Sequence, residues 1–142
     1  MARIGLYICT GLLLSACESS TQQPPAELID ESTINNVWHK AKLRGVSFRA
    51  VGQEPGWLLE ITTGTEILLQ TDYGQTQSSF PYVEPVVYQE ERRTEYVLEA
   101  FGTVIEIRGV ACQDVMSGEE FSVSVTIKQA DRTLKGCGRA LH

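Results

Sequence analysis

The stretch Phe121-Ser122-Val123-Ser124-Val125-Thr126-Ile127 decides the fold class, because apolar and small polar residues alternate along it without a break. A period of two places apolar side chains on one face of a β-strand and polar side chains on the other. Shorter runs of the same kind begin at Val46 and Trp57, and turn residues, among them Asp72-Tyr73-Gly74, recur between the runs. Such close spacing, with no helical segment between runs, predicts antiparallel hairpins. We therefore expect a mainly β domain, a small antiparallel barrel or sandwich of about seven or eight strands.

Two segments depart from this pattern. Residues 33–44 carry apolar residues at helical spacing, with serine and threonine before them as caps and Gly45 as a stop, and so predict one short amphipathic helix before the strands. We expect Trp38 on that helix to lie in the core or on a docking surface. Residues 75–85 contain two prolines and little pattern, which predicts a long loop or an irregular sheet edge.

The N-terminus has the layout of a secretion signal. Arg3 is followed by an apolar run that is too short to cross a bilayer as a helix. The next residues, Leu14-Ser15-Ala16-Cys17, resemble a bacterial lipobox. The resemblance implies that residues 1–16 are a lipoprotein signal peptide and that Cys17 is lipidated after cleavage. By resemblance to sorting in Gram-negative bacteria, Glu18 in place of aspartate implies the outer membrane, with the domain facing the periplasm.

Composition limits the partners. Residues 17–31 are polar and contain a double proline, which predicts a flexible tether of about 40 Å for the domain over residues 32–142. Without residues 1–16 the chain has 11 basic and 18 acidic residues. This balance argues against nucleic acid and against electrostatic docking on anionic lipid headgroups. The expected partners are the membrane, through the lipid anchor, and an envelope protein or peptidoglycan.

The cysteines agree with an oxidising compartment. Once the signal peptide and the lipidated cysteine are set aside, Cys112 and Cys137 remain, and two such thiols most often pair. A closed loop of about 26 residues stabilises a fold by roughly 3 to 4 kcal/mol in the chain-entropy model. The alternative is a metal or redox pair, but there is no CxxC, and His39 and His142 have no ligand spacing to the cysteines. We expect a structural disulfide, no metal and no cofactor, with the glycines beside Cys137 allowing close backbone approach.

Three motifs lie in the β region: FRAVGQEPGW at 48–57, CQDVMSGE at 112–119 and GCGRAL at 136–141. Together they resemble a family of small proteobacterial envelope lipoproteins of uncharacterised function, some of whose members carry the pattern beside a META domain. The resemblance spans about residues 44–141, and it implies a compartment and domain limits but no reaction. One departure is Gly56, where many members of that family have an aromatic residue.

The motifs supply the candidate binding or loop-locking residues, which are Arg49, Glu54, Trp57, Asp114, Met116, Ser117 and Arg139. Glu54 and Asp114 are interpreted either as a carboxylate pair for acid–base hydrolysis or as turn residues that accept backbone N–H groups, and the second interpretation is favoured. The two arginines form either an anion pocket or ion pairs with Glu54 and Asp114 that lock the loop ends, and locking is favoured.

The remaining candidates have weaker cases. Trp57 is a stacking platform or a core residue, and its place on the same strand face as Leu59 and Ile61 favours the core. Met116 beside a histidine would suggest copper, but the other methionine of the chain is Met1. Ser117 as a nucleophile lacks a credible histidine base.

These observations leave three functional hypotheses. The favoured one is a non-enzymatic binding or accessory domain, anchored to the outer membrane and acting in the periplasm. The second is an envelope hydrolase that uses Glu54 and Asp114, and the third is a metal-sensing or stress-sensing lipoprotein. The first is favoured because no convergent catalytic set is present in the sequence.

Overall fold

The alternating runs become strands in residues 36–142, the part of the chain that the computed structural model describes. One helix precedes them, α1 (Val37–Leu43). The strands are β1 (Phe48–Gln53), β2 (Gly56–Thr62), β3 (Glu66–Thr71), β4 (Thr76–Pro81), β5 (Val86–Tyr88), β6 (Arg93–Leu98), β7 (Thr103–Arg108), β8 (Cys112–Gln113), β9 (Glu120–Phe121), β10 (Val123–Lys128) and β11 (Thr133–Ala140). The mainly β, antiparallel fold class is confirmed, with eleven strands where seven or eight were predicted.

Nine of the strands form one curled antiparallel sheet, a half-barrel, in the order β4-β3-β2-β1-β11-β10-β7-β6-β5. Most neighbours are consecutive along the chain, and there are two exceptions. β7 pairs with β10 across the segment that holds β8 and β9, and β1 pairs with β11, where Phe48 lies opposite Ala140. Strands β8 and β9 form a separate two-stranded sheet. The pairing of β1 with β11 therefore brings the first and third sequence motifs side by side.

The inner face of the curled sheet holds the core. Its buried residues are Ala50, Trp57, Leu59, Ile61, Ile67, Leu69, Phe80, Tyr96, Leu98, Ile105, Val125, Ile127 and Leu134. Aromatic side chains from the two ends of the sheet meet across the opening: the ring centroids of Phe80 and Phe101 are 4.8 Å apart, and those of Tyr82 and Tyr96 are 6.2 Å apart. Trp57 belongs to this core, as its place in the alternating run predicted.

The glycines beside Cys137 allow close strand approach, as predicted. A Cβ atom at Gly136 would lie 2.1 Å from the carbonyl oxygen of Val51, and one at Gly138 would lie 2.8 Å from that of Arg49. Gly136 also makes room for the indole of Trp57, whose Nε1–H donates to the carbonyl oxygen of Lys135 at 3.3 Å. Any larger residue at Gly136 would push β1 away from β11.

The helix begins later than predicted. Asn36 is its N-cap, with Oδ1 accepting a hydrogen bond from the backbone N–H of Trp38 at 2.8 Å, whereas the sequence pattern indicated a start at residue 33. An asparagine is as good a cap as serine or threonine, so the pattern did not distinguish between them. The predicted stop is correct, since Gly45 follows the helix with a φ of 87°.

Of the two alternatives predicted for residues 75–85, a sheet edge is correct for the first half and a long loop is wrong there. Thr76–Pro81 forms β4, which pairs with β3 along its whole length. As an edge strand, β4 has one hydrogen-bonding neighbour and buries a single side chain, Phe80. It therefore carries little of the apolar alternation by which strands are recognised. Residues 82–85 have no regular secondary structure.

The predicted signal peptide (residues 1–16), the lipidation site at Cys17 and the tether (residues 17–31) lie outside the described residues. Within residues 36–142, no helix has the length and apolar character needed to cross a membrane.

Candidate functional site

The first and second sequence motifs meet on the outer face of the sheet. Glu54 and Pro55 form the turn between β1 and β2. Residues 112–121, here called the disulfide loop, lie beside this turn. The loop is joined to β11 through Cys112 and Cys137, whose Cα atoms are 5.5 Å apart, within the usual range for disulfides. The cysteine pairing expected from composition therefore agrees with the geometry of the structure.

Asp114 holds the disulfide loop in shape. Its Oδ2 accepts hydrogen bonds from the hydroxyl of Ser117 at 2.7 Å and from the backbone N–H of Ser117 at 3.2 Å. Oδ1 accepts from the backbone N–H of Met116 at 3.4 Å, and the side chain of Gln53 donates to Oδ2 at 3.3 Å across the gap from β1. These bonds, above all that from the Ser117 hydroxyl, lower the pKa of Asp114. The interpretation of Asp114 as a loop cap is confirmed.

We expect Ser117→Ala to reduce the free energy of unfolding by about 1 to 2 kcal/mol at pH 7 and by much less near pH 2. The folded-state pKa of Asp114 lies below its unfolded value of about 3.9. The stabilisation by Asp114 is therefore present when the pH is above the unfolded-state pKa, and it is lost as the pH falls through the folded-state pKa. Denaturant unfolding at both pH values measures the effect, with Ser122→Ala, an exposed serine, as the control. An equal loss of stability at both pH values would show that Ser117 does not act by stabilising the ionised carboxylate of Asp114.

Glu54 and Asp114 line the same groove, of about 580 Å³, between the β1–β2 turn, the disulfide loop and the outer face of β10 and β11. We call it the large groove. Glu54 is exposed, and its carboxylate makes no hydrogen bond to any residue in the described range. The predicted backbone N–H bonds within its own turn are therefore not seen there. The two carboxylates share a groove, but only Asp114 has a structural role in it.

A second groove lies on the other side of the same turn, and Tyr73 forms its wall. This small groove, of about 250 Å³, is lined by residues that include Gln53, Trp57 and Tyr73. The phenol ring packs over Gly56, where a Cβ atom would lie 2.5 Å from Cδ1, and its hydroxyl donates to the carbonyl oxygen of Gln53 at 3.3 Å. An aromatic residue at position 56 would displace Tyr73, so the departure at Gly56 changes this surface.

Exposed side chains surround the turn. Tyr73 is 75% exposed, Val115 85% and Met116 73%, and with Glu54 and Pro55 they form the surface that we call the rim. Tyr73 was not among the residues predicted from the sequence, where Asp72-Tyr73-Gly74 stood out only as a turn. A large aromatic residue inside a turn is the sequence signal that could have been used, and the structure places Tyr73 at a φ of 56°.

Arg49 and Arg139 do not pair with Glu54 and Asp114, so that prediction was wrong. Arg49 binds Glu60, its direct cross-strand neighbour on β2, and Arg139 binds Glu119. Both guanidinium groups also lie over the ring of Trp38, with Cζ at 5.3 and 4.9 Å from its centroid. Strand register decides this arrangement, since Arg49 and Arg139 lie opposite each other on β1 and β11. They lock α1 and the disulfide loop onto the sheet, away from the turn.

Within residues 36–142, the side chains considered from the sequence for metal binding or nucleophilic catalysis do not come together. The hydroxyl of Ser117 donates to Asp114, while His39 and His142 line a separate pocket beside α1 and the C-terminus. Among residues 36–142 there is no group of three His, Cys, Asp or Glu side chains placed to hold a metal ion.

The site provides an exposed surface on which another molecule could bind. Two grooves meet at the β1–β2 turn, exposed apolar side chains stand around it, and the disulfide and Asp114 hold the neighbouring loop in place. Comparisons of the chain with protein-family models, with curated proteins and with solved structures found no match.

Proposed function

We propose that this chain is a lipoprotein of the outer membrane, facing the periplasm, whose domain is a non-enzymatic binding module that docks an envelope protein on the rim. One observation carries the proposal: Tyr73 and Val115, which lie on either side of the Glu54-Pro55 turn, and Met116, which follows Val115 in the disulfide loop, each expose most of their side chain. Large apolar side chains grouped on a surface are a common mark of an interaction site. The anchor at Cys17 is supported by the lipobox resemblance.

The residues of the rim are held in place by bonds within the domain, without a bound partner. The disulfide ties one side of it to β11, and Asp114 orders the loop that carries Val115 and Met116. The hydroxyl of Tyr73 binds the backbone of Gln53 on the other side. A surface that is already ordered loses less conformational entropy on binding, which favours affinity.

The chemistry of the rim favours a protein over a glycan. Aromatic residues and methionine are enriched at protein interfaces, and a thioether adapts to irregular apolar surfaces. The side chains of Val115 and Met116 have no hydrogen-bond donors to offer to sugar hydroxyls. A hydrophobic segment of an envelope protein, seated against the rim, would bury these side chains.

The hydrolase hypothesis keeps one observation in its favour, because Glu54 and Asp114 line the large groove together. An acid–base pair needs one carboxyl group that holds a proton near neutral pH. The hydrogen bonds that lower the pKa of Asp114 oppose that role for it, and the binding hypothesis is therefore preferred. Loss of turnover of a cell-wall substrate in Glu54→Gln, with stability unchanged, would favour the hydrolase.

Site-specific photo-crosslinking in living cells tests the proposal. The probe replaces Glu54, which is exposed, because the neighbouring side chain of Gln53 is already bound to Asp114. We expect a discrete protein adduct that weakens at least about tenfold when Val115 and Met116 are both changed to aspartate, since buried charge opposes docking.

The matched control changes Val86 and Val87 to aspartate. These residues are 49% and 53% exposed on β5, an edge strand that does not line either groove at the turn. The adduct should persist in this control. A folded, lipidated protein that gives no adduct, or an adduct that is equally strong in both double variants, would contradict docking at the rim.

A further inference from the structure

We infer that β4 pairs with β4 of a second copy of this chain, so that two nine-stranded sheets join edge to edge about a two-fold axis at Ser78. The inference goes beyond the proposed function, because it assigns a self-association surface that shares no residue with the rim. It rests on the open edge of the sheet and needs neither the lipid anchor nor the envelope partner.

The curled sheet ends in two edge strands that differ in their protection. β5 is three residues long, and a short edge strand offers little backbone to another chain. β4 is six residues long, pairs with β3 along its whole length without a bulge, and has no second strand beside it among residues 36–142. Its sequence, TQSSFP at 76–81, contains no charged residue. Natural edge strands carry charges, bulges or prolines that prevent pairing, and β4 has only Pro81 at its end.

The hydrogen bonds to β3 show which backbone groups of β4 are free. The N–H of Tyr82, the residue after β4, donates to the carbonyl oxygen of Thr65 at 3.3 Å, in the register of the strand pair. Successive residues of an antiparallel strand direct their backbone groups to opposite sides. Every second residue before Tyr82 therefore bonds β3. The N–H and C=O groups of Gln77 and Ser79, which are exposed and lie between those residues, point to the open edge.

The two ends of β4 favour one register for a second copy. When Gln77 lies opposite Ser79 of the second copy, each free N–H and C=O group of these residues has a partner. A shift in one direction would place Gln75 opposite Ser79, but Gln75 has a ψ of −29° and its N–H is already bonded within the preceding turn. A shift in the other direction would place Pro81, which has no N–H, opposite Gln77. The favoured register puts Ser78 opposite itself, on the two-fold axis.

The composition of the edge favours a second copy as its occupant. Pairing about a two-fold axis needs the same groups on both sides, and Gln77 and Ser79 present theirs in a self-complementary order. Residues 36–142 carry 11 basic and 14 acidic residues, so two copies have the same sign of net charge. Because β4 has no charged residue, the two copies meet there without placing like charges opposite each other.

An apolar surface lies beside the open edge. Pro81 also lines a groove of about 360 Å³, whose other residues include Val83, Val97 and Phe101. Val97 is 40% exposed and Phe101 is 52% exposed, and the ring of Phe101 packs against that of Phe80 on β4. In the antiparallel arrangement, the beginning of β4 of the second copy arrives opposite Pro81. Pairing therefore also covers part of this apolar surface, which favours association.

A disulfide at the two-fold axis tests the inference. The Cα atoms of a directly opposed, non-hydrogen-bonded pair are about 4.5 Å apart, a distance that a disulfide can bridge. We expect Ser78→Cys in the full chain, treated with a mild oxidant in its own cells, to give a reducible product at twice the mass of the chain. The matched control is Thr76→Cys on the same face of β4, because its two copies would lie about 13 Å apart. Above the background of the unchanged chain, the control should give at least tenfold less product.

Charge variants of the Ser78→Cys chain test the register and the identity of the occupant. Gln77 and Ser79 lie opposite each other across the axis, so Gln77→Lys with Ser79→Lys places like charges opposite each other. This change should reduce the product at least fivefold. Gln77→Glu with Ser79→Lys changes the same positions but places opposite charges together, and should retain the product. Equal amounts of product from the two charge variants would overturn the inference.

Three other results would also overturn it. Equal product from Ser78→Cys and Thr76→Cys would show collision of copies without a fixed register. A reducible product with a different protein would show that a partner strand occupies the edge. No product from a folded chain would show that β4 does not pair with itself, as when residues 17–35 of the same chain cover it.

A photo-reactive probe in place of Gln77, which is exposed, keeps the test clear if Ser78→Cys fails to fold. The probe should link two copies of the chain, and Ser79→Lys, which places a charge opposite the probe, should change the yield less than Ser79→Pro. That proline removes an N–H that faces the open edge, a position where edge strands tolerate proline. A probe that links no second copy would overturn the inference.

Discussion

Glu60→Gln is expected to lower the free energy of unfolding by about 3 to 5 kcal/mol. The carboxylate of Glu60 accepts hydrogen bonds from Arg49 and, at 2.8 and 2.9 Å, from Arg44. The side chains of Glu60 and Arg49 are only 8% and 13% exposed. Burial lowers the pKa of Arg49, and Glu60 opposes that shift by its negative charge. Without the carboxylate, the guanidinium of Arg49 remains buried beneath α1 with no countercharge beside it.

Denaturant unfolding at neutral pH measures this loss, and Glu106→Gln is a matched control. Glu106 is almost as shielded, at 12% exposure, but its partners Arg108 and Lys128 are 47% and 56% exposed. Those partners can be hydrated when the carboxylate is removed, so we expect a loss of at most about 1 kcal/mol. If Glu60→Gln and Glu106→Gln lost equal stability, the burial of Arg49 would not explain the loss in Glu60→Gln.

A second variant keeps the test clear if Glu60→Gln fails to fold. Adding Arg49→Met removes the unpaired charge and should recover part of the stability, because an apolar side chain of similar length tolerates burial. Failure of the double variant to recover any stability would show that Glu60 acts through something other than Arg49.

Loss of the disulfide is the other large effect. We expect Cys112→Ser with Cys137→Ser to lower the free energy of unfolding by about 3 to 4 kcal/mol, since the bridge closes a long loop in the unfolded chain. The variant also frees the disulfide loop from β11, so the crosslink at the rim should weaken together with stability. This double effect is expected because the loop that carries Val115 and Met116 is held at one end by the bridge.

Thermal unfolding with and without a reducing agent checks this prediction. The melting temperature of the original chain should fall on reduction, and that of the double-serine variant should not change. Unchanged melting of the original chain in reductant would show that Cys112 and Cys137 are not bridged. If a folded double-serine variant kept the crosslink at the rim, binding of the partner would not depend on the disulfide loop.

The predictions from sequence succeeded where one residue pattern determines one structure. Alternation along residues 123–127 and from Trp57 onward predicted strands and the core position of Trp57, because side chains of a strand alternate between its faces whatever its neighbours. The run predicted from residue 121 breaks at Ser122, since Phe121 belongs to β9 and packs against Trp38. The glycines beside Cys137 predicted close strand approach, since only glycine leaves room there. The Asx-turn chemistry of Asp114 predicted its hydrogen bonds to the loop backbone, because those bonds are local.

The sequence by itself determined the local character of this protein: a β domain, its main turns, the cysteine pair and a loop capped by Asp114. Only the tertiary structure decided which distant residues meet. The sheet register pairs Arg49 with Glu60. Tyr73 packs on one side of the β1–β2 turn, and Val115 lines the groove on its other side. Alternation specifies the face on which a side chain lies but not the strand that lies next to it, so long-range partners depend on how the whole sheet closes.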